Sequence, residues 1–397
     1  MQQDPLVFTI FLIFTGAAIV ATIALYARQA LLVAYILLGV LLGPSALGLV
    51  SDPVLIKQIS HVGIMFLLFL LGLNLPLAKL IPLIQKTTFV TVSSSLLFAL
   101  IGALVGWSFG FNFIECLIIG ASLIFSSTII GLKLLPTTVL HHKRTGEFII
   151  SILLIQDLIA IIILLLLQTT GQTTAQTVGQ ASLPWLEIAL RITALPVLIA
   201  TAFLLERFVL IKLIARFDKI QEYIFLLAIA WCLGFAELAV SMGLSTEIGA
   251  FIAGVALARN PIALFIGESL KPLRDFFLIL FFFSLGASFN LHMLASVFIP
   301  ATVLAAVVLL GKPWVFRWLL QSSGEAPVSS NEIGVRLGQV SEFSLLIAVL
   351  ALELNIIGSE ASYVIQLATL LTFIVSSYVI VQRYPTPIAL IDRLRRD

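Results

Sequence analysis

The sequence of 397 residues predicts an all-α membrane protein that crosses the bilayer many times. Hydrophobic residues make up 60% of it and charged residues only 11%, a composition typical of chains surrounded by lipid. Long apolar runs follow one another from end to end, and a helix needs about 20 such residues to span the hydrocarbon core. We therefore predict one transmembrane domain over residues 1–397, without a soluble core.

Turn signals and charges divide the apolar runs into thirteen candidate helices. The predicted ranges are 7–26, 29–43, 59–75, 88–110, 113–135, 146–170, 184–206, 222–242, 246–258, 271–289, 295–320, 331–353 and 360–381. The second and ninth ranges are short for a full span, so we expect them to be tilted or covered by protein. The uncharged segment after the sixth helix is rich in Thr, Gln and Gly, which is typical of a flexible linker.

The basic residues predict which side of the membrane each loop occupies. Counted from an external N-terminus, eighteen Lys and Arg residues fall in cytoplasmic loops and the C-terminal tail, whereas the external loops hold only Lys57. Because positively charged loops stay in the cytoplasm, we expect the N-terminus outside, the C-terminus inside and the chain in the inner membrane. The N-terminus lacks the basic segment and cleavage site of a signal peptide, so we expect no targeting segment to be removed.

Asp157 lies near the middle of the sixth predicted helix, directly after Gln156. An ionised carboxylate at this depth is costly, and such residues usually belong to an ion or substrate pathway. Lys312 in the eleventh helix lies at a similar depth. A buried acid and a buried base at one depth favour an ion pair, which is either part of a site or purely structural.

Two other predicted helices carry polar residues in mid-span. The fifth contains Ser126, Ser127 and Thr128, whose hydroxyls can satisfy backbone groups that unwinding sets free. Both stretches also fit a packing face of small residues, but the larger polar groups in the twelfth helix argue against that interpretation there. Arg336 suits either a cytoplasmic anchor or an inward partner of an acid. The small and polar residues of the twelfth helix are Arg336, Gly338, Gln339, Ser341, Glu342 and Ser344.

The two interrupted helices are seven places apart in helix order, so they run in opposite directions across the membrane. This arrangement predicts two inverted six-helix repeats joined by a linking helix over 184–206, with the discontinuous helices crossing beside Asp157. Secondary transporters use the exposed ends of such half-helices to hold ions, because those ends carry partial charges.

Seven segments in order along the chain carry a family resemblance. Each is a weak signal alone, but together they are specific, and the chain resembles the monovalent cation:proton antiporters, within them the bacterial Kef-type branch of the second large family. The segments are AYILLGVLLGPSALG from Ala34, VGIMFLLFLLGLNL from Val62, SLIFSSTIIGLKLL from Ser122, LLIQDLIAI from Leu153, GLSTEIGAFIAGVALA from Gly243, LFFFSLGASFNL from Leu280 and RLGQVSEFSLLIAVLAL from Arg336.

The resemblance implies the sodium/proton-antiporter-like fold. Its dimerisation panel would comprise the helices within 7–75 and 222–289, and its mobile transport core those within 88–170 and 295–381. The cation and proton site would lie at Asp157, and Ser341 stands where the family usually has a glycine. Around Asp157 the resemblance places Gln156, Ser126, Ser127 and Thr128 as binding residues, with Lys312, Glu342, Gln339 and Arg336 in support.

The function implied is secondary active exchange of a monovalent cation for H+ by alternate occupancy of Asp157, electroneutral and of the elevator type. Gln156 resembles the pair found with K+, whereas family members with a second acid there are associated with Na+, so a Na+/H+ antiporter is the alternative. We expect a homodimer, no cofactor, no enzymatic activity and no nucleic acid. The sequence holds no G-x-G-x-x-G motif, so a regulatory nucleotide-binding domain or subunit would lie outside this chain.

Two alternatives come from other classes of protein. A cation channel would use the same polar mid-membrane layer as a pore, but a buried ion pair is unlike the rings of like charge or carbonyls that line channels. An intramembrane hydrolase would use Asp157 with Glu342, but no H-E-x-x-H motif or Ser/His pairing accompanies them.

Overall fold

A computed structural model describes residues 5–27, 29–50, 53–73, 77–133, 144–176, 184–217, 220–260 and 262–386. Over these residues the chain is helical and contains no β-strand, which confirms the predicted all-α class. The helices are α1 Pro5–Tyr26, α2 Leu31–Leu42, α3 Pro53–Leu73, α4 Leu77–Ser108, α5 Phe113–Leu123, α6 Thr128–Lys133, α7 Arg144–Gln176, α8 Pro184–Leu205, α9 Ile211–Arg216, α10 Gln221–Ser241, α11 Thr246–Ala258, α12 Ile262–Ser269, α13 Lys271–Ala287, α14 Leu294–Ser322, α15 Pro327–Arg336, α16 Glu342–Glu353 and α17 Ser359–Arg383.

Several helices have the length and composition needed to cross a bilayer. Within the described ranges six qualify on both criteria, and shorter apolar helices accompany them. The number of crossings stays a prediction, but the multi-pass character of the chain follows from these spans. The six spans are Val7–Tyr26, Thr87–Ser108, Thr145–Leu164, Gln221–Ser241, Leu291–Ser322 and Ser359–Arg383.

Both helices that the sequence predicts to be interrupted are broken. The predicted helix 113–135 consists of α5 and α6, and the predicted helix 331–353 consists of α15 and α16. We call the unwound residues 124–127 the first break and residues 337–341 the second break. Some of their backbone groups have no partner within a helix, so side chains from elsewhere must satisfy them.

Other helix bounds differ from the prediction. Helix α12 occupies a segment that we expected to be a loop, α4 begins at Leu77 instead of residue 88, and α7 continues to Gln176 instead of residue 170. Lys, Gln and Leu favour helices, so polar residues at the end of an apolar run did not end these helices.

The helices pack in two groups. The first group contains α1–α3, α10, α11 and α13, where α3 packs against α11 and α13, and α2 against α13. The second group contains α4–α7 and α14–α17, where α4 packs against α5, α7 and α14, and α16 against α5, α7 and α17. Helix α8 packs against α10 and α11 of the first group.

Glycines bring the helix backbones of the first group into direct contact. A Cβ atom at Gly39 of α2 would overlap the carbonyl of Phe283, and one at Gly286 of α13 would overlap that of Ile36. Gly254 of α11 approaches the backbone of α3 in the same way. Small residues at membrane helix interfaces allow such close packing, and they make a larger side chain at these positions disruptive.

Candidate functional site

The two breaks cross and touch inside the second group. The Ser126 hydroxyl of the first break donates a hydrogen bond to the Leu337 carbonyl of the second, at 2.9 Å. The side chains around this contact are buried. The crossing therefore brings together two helix C-termini, those of α5 and α15, and two helix N-termini, those of α6 and α16.

Gln156 of α7 supplies hydrogen bonds that the unwound backbone of the first break lacks. Its Nε2 donates to the Ile124 carbonyl at 3.1 Å, and its Oε1 accepts from the Ser126 N–H at 3.0 Å. Both ends of the amide are thus bonded to the backbone, although the sequence predicted Gln156 as a cation ligand. In this structure Gln156 positions the first break beside its neighbour Asp157.

Lys312 of α14 lies between the two breaks and is completely buried. Its Nζ donates to the Phe125 carbonyl at 2.6 Å, to the Gln339 carbonyl at 3.1 Å and to the Ser126 hydroxyl oxygen at 3.3 Å. An ammonium has three donors, and all three have acceptors here. Carbonyls at helix C-termini carry partial negative charge, so Lys312 neutralises the ends of α5 and α15 together.

The ion pair that the sequence suggested between Lys312 and Asp157 is absent from this structure. The acceptors of Lys312 are the two backbone carbonyls and the hydroxyl, and its buried ammonium makes no ion pair with a carboxylate of the described chain. The reason lies in the breaks, whose freed carbonyls must find donors inside the protein. A sequence shows the depth of a lysine but not these carbonyls.

Asp157 is 4% exposed, and its Oδ1 is buried without a hydrogen-bond partner in the described part of the chain. A buried carboxylate oxygen without a donor is costly. Glu342 is a second acid near enough to act on Asp157 electrostatically, and two like charges repel each other. The arrangement suits a ligand that brings positive charge, such as a proton or a monovalent cation.

Thr128 and Glu342 join the two helix N-termini of the crossing. The Thr128 hydroxyl, at the start of α6, donates a hydrogen bond to Oε1 of Glu342, the first residue of α16. Ser127 caps α6, because its Oγ accepts from the Ile130 N–H at 3.2 Å. The Ser126 and Thr128 hydroxyls thus bond across the crossing, whereas the Ser127 hydroxyl caps its own helix.

Ser341, at the position where the family resemblance implies a glycine, is the N-cap of α16. Its backbone is extended, with φ of −102°, and its Oγ accepts from the Phe343 N–H at 3.2 Å. A non-glycine residue adopts this conformation without strain, and serine is a favoured N-cap. The substitution therefore keeps the half-helix intact.

Arg336 had two interpretations, a cytoplasmic anchor or an inward partner of an acid. The structure agrees with the second. It is completely buried, pairs with Glu332 at 3.0 Å and donates to the Pro385 carbonyl at 2.9 Å. Its guanidinium also lies over the ring of Tyr384, 5.6 Å from the ring centre. Its own carbonyl accepts from Gln339 Nε2 at 2.9 Å, which ties α15 to the second break.

Sequence reasoning missed two residues of α17 that support the second break. The Thr372 hydroxyl accepts from the Val340 N–H at 3.2 Å, and the Ser376 hydroxyl donates to Gln339 Oε1 at 3.0 Å. The four-residue spacing of these hydroxyls in an apolar span was the available signal, since such residues share one helix face. Glu332, four residues before Arg336, offered the same kind of signal.

A small cavity of about 10 Å³, room for about one water molecule, lies between the two helix groups. Leu164 follows Asp157 along α7 by about two turns, so the cavity lies on the predicted external side of the acid. Glu247 in its wall pairs with His61 at 3.3 Å. The residues that line it are Ile64, Leu68 and Glu247 of the first group and Leu164, Leu346, Leu350 and Glu353 of the second.

Comparisons with known proteins agree with this architecture. The transmembrane sodium/hydrogen exchanger family matches residues 10–382. The chain is 28% identical to the putative cation/proton antiporter YbaL of Escherichia coli, over 94% of this chain and 68% of that protein. It is 30% identical to the putative K(+) efflux antiporter KefB of Alkalimonas amylolytica, over 88% of this chain, and it spans about half (52%) of that protein. K(+) efflux antiporter 5 of Arabidopsis thaliana is 28% identical, over 97% of this chain and 68% of that protein.

A solved structure shows the same fold. The sodium proton antiporter MjNhaP1 from Methanocaldococcus jannaschii superposes with a TM-score of 0.66, over 93% of this chain and 94% of that one. The sequence identity is 18%, so the likeness concerns the fold alone.

Proposed function

The chain belongs to the sodium/hydrogen exchanger family, and we propose that it exchanges K+ for H+ across the inner membrane, with Asp157 as the shared binding group. The single observation that carries this proposal is the buried Asp157 Oδ1 without a hydrogen-bond partner among the described residues. A proton or a monovalent cation satisfies this oxygen, and one carboxylate cannot hold both. Competition for it converts a proton gradient into cation movement.

The preference for K+ over Na+ rests on resemblance. Gln156 precedes the acid as in the Kef-type pair, and two relatives are named K(+) efflux antiporters. In this chain the Gln156 amide sets the position of the Ile124 and Ser126 backbone groups next to Asp157. The proposed selectivity therefore acts through the shape of the first break, with Gln156 as a positioning residue.

The moving part in this proposal is the second group of helices. It contains both breaks and the side chains that hold them, so it can carry the site as one body. The first group, packed through glycines, is the proposed static panel and the face of a homodimer. The cavity between the two groups marks the surface along which they would slide. If one cation replaces one proton, the exchange is electroneutral.

Flux measurements in proteoliposomes test this function. The vesicles hold a pH-sensitive dye and a preformed proton gradient, and K+, Na+ or Li+ is added outside. We expect K+ to dissipate the gradient, with or without a clamped membrane potential, and Asp157→Asn to abolish the response. Asp275→Asn, the same change at an exposed ion pair, is the matched control and should retain it.

Two results would contradict the proposal. A response selective for Na+ and dependent on the potential would make the protein a Na+/H+ antiporter. A response that survives Asp157→Asn would show that the exchange uses a different site.

A further inference from the structure

His61 on α3 contacts two oxygen atoms of α11 within the first group of helices. Its Nδ1 lies 3.3 Å from Oε1 of Glu247, and its Nε2 lies 3.1 Å from the Thr246 hydroxyl oxygen. A neutral imidazole donates from one nitrogen and accepts at the other, whereas an imidazolium donates from both. Because the threonine hydroxyl can either donate or accept, both contacts persist when the ring gains a proton. His61 can therefore change its charge without losing these partners.

The two members of this ion pair differ in exposure. The side chain of His61 is 51% exposed, whereas that of Glu247 is 7% exposed. Glu247 lies in the first turn of α11, where the helix N-terminus stabilises a carboxylate, and it lines the small cavity between the two helix groups. Histidine is the side chain that ordinarily changes charge between about pH 5 and pH 8. The net charge of the pair thus follows the pH of the solvent, from zero in acid to minus one in alkali.

The opposite wall of the cavity also carries an acid. Glu353 lines it from the second group, as the last residue of α16, and a helix C-terminus adds partial negative charge. The cavity of about 10 Å³ holds about one water molecule, so charges on its two walls act on each other over a short distance. A negative pair on the first group repels this wall, and a neutral pair does not.

Other charged residues lie near this end of the helices that pack here, as judged from their places in the chain. None of them is a histidine, so His61 is the residue among them that ordinarily titrates near neutral pH. The charges of α12 and α13, which also pack against α3, lie toward the other end of that helix. The residues near this end are Lys57 on α3, Glu187 and Arg191 on α8, Glu237 on α10, Glu115 on α5 and Glu360 on α17.

We propose that His61 and Glu247 form a pH-sensitive switch that controls separation of the two helix groups at the predicted external side. With His61 protonated, the pair is neutral and the wall that carries Glu353 stays against it. With His61 neutral, the carboxylates of Glu247 and Glu353 repel each other and favour separation. External acid therefore holds this side closed, and external alkali favours its opening. The inference rests on the proposed function for the relative movement of the two groups.

Thiol labelling at the cavity measures the opening. Leu350→Cys places a thiol on the second-group wall, and the native Cys116 and Cys232 are buried. Asp157→Asn is combined with it in the full chain, so titration of the proposed cation site cannot contribute. Purified protein reacts with a membrane-impermeant methanethiosulfonate reagent, with and without His61→Gln. The two samples are compared at the same pH, because the thiolate fraction of the reporter is then the same in both.

The effect of His61→Gln should depend on pH. At about pH 5 we expect chains with His61 to label more slowly than the His61→Gln variant, and at about pH 8 equally fast. The expected difference is about fivefold, which corresponds to about 1 kcal/mol for a partly exposed charge pair. His61→Lys, which is positive throughout this range, should label slowly at both pH values.

A second substitution tests the repulsion across the cavity. Glu353→Gln removes the acid of the opposite wall, so it should abolish the effect of His61→Gln at low pH. Glu360→Gln, an exposed acid at the same end of the second group, is the matched control and should retain the effect. His292→Gln, at an exposed histidine outside the cavity, should leave the labelling of chains with His61 unchanged at both pH values.

Three outcomes overturn the inference. Equal labelling rates with and without His61→Gln at both pH values contradict it, and so does a difference of the same size at both, which would indicate a structural role of the ring. An effect that persists in Glu353→Gln excludes repulsion across the cavity. If Leu350→Cys does not fold, Ile64→Cys on the first-group wall replaces it as the reporter. Labelling requires no exchange, so a protein that labels as expected but exchanges no cation for H+ contradicts the proposed function alone.

Discussion

The two breaks satisfy their unwound backbones from different parts of the molecule. The first break is held by Gln156 of α7, the residue next to Asp157. The second is held by its own Gln339 and by hydroxyls of α17, including that of Ser376. The first break is therefore linked to the acid that we propose binds the ligand, whereas the second break is bonded to residues with a structural role. A change at the first break should therefore alter cation binding, and a change at the second should alter stability.

Replacement of Lys312 should have the largest effect on stability, because its ammonium bonds the carbonyls of both breaks. Lys312→Met leaves the Phe125 and Gln339 carbonyls without their ammonium donor. We expect a loss of stability of about 1–3 kcal/mol for each buried carbonyl that is left without a donor. Thermal unfolding followed by size-exclusion chromatography measures it. Lys271→Met, at a half-exposed surface ion pair, should cost less than about 1 kcal/mol.

An equal loss of stability in the two lysine variants would contradict the claim that Lys312 stabilises the carbonyls at the crossing.

The matched variants Gln156→Leu and Gln339→Leu test whether the two breaks differ in their effect on cation binding. Each removes a buried amide that bonds a break, so each should cost about 1–3 kcal/mol of stability. Only Gln156→Leu should also raise the half-maximal K+ concentration, by about tenfold, which corresponds to about 1.4 kcal/mol. Dye-based exchange assays over a range of K+ concentrations measure this shift. Equal shifts in both variants would remove the distinction between the breaks.

The smallest expected effects concern the two serine caps. Ser127→Ala removes the acceptor for the Ile130 N–H and should cost about 1 kcal/mol. Ser341→Gly should cost only about a few tenths of a kcal/mol, because glycine is itself a tolerated N-cap. Comparative thermal unfolding resolves the order of the two. A larger loss from Ser341→Gly would show that the serine does more than cap α16.

The sequence predicted the features that depend on local pattern. Ser126 to Thr128 and the polar run around Gln339 indicated the breaks, because polar groups in an apolar span need a structural reason. Asp157 was identified because an ionised carboxylate in an apolar span is energetically costly. The all-α fold and both breaks are therefore confirmed, while the roles of the site residues stay predictions.

The partners of the buried cations were beyond a sequence argument. Lys312 bonds to Phe125, which is 187 residues away, and such a contact exists only once two broken helices have crossed. The link from Arg336 to Pro385 depends in the same way on how the chain leaves α17. Depth in a helix fixes neither contact, which is why the expected pairing of Lys312 with Asp157 was wrong for this structure.

Proton release on cation binding tests whether the proton and the cation compete for Asp157. Purified protein in weakly buffered detergent solution is titrated with K+ at a series of pH values, and the released protons are counted with a pH-sensitive dye. We expect release approaching one proton per chain where Asp157 is protonated at the outset, and none from Asp157→Asn. K+ binding by the wild type without release at any pH, or undiminished release from Asp157→Asn, would contradict the claim that proton and cation compete for Asp157.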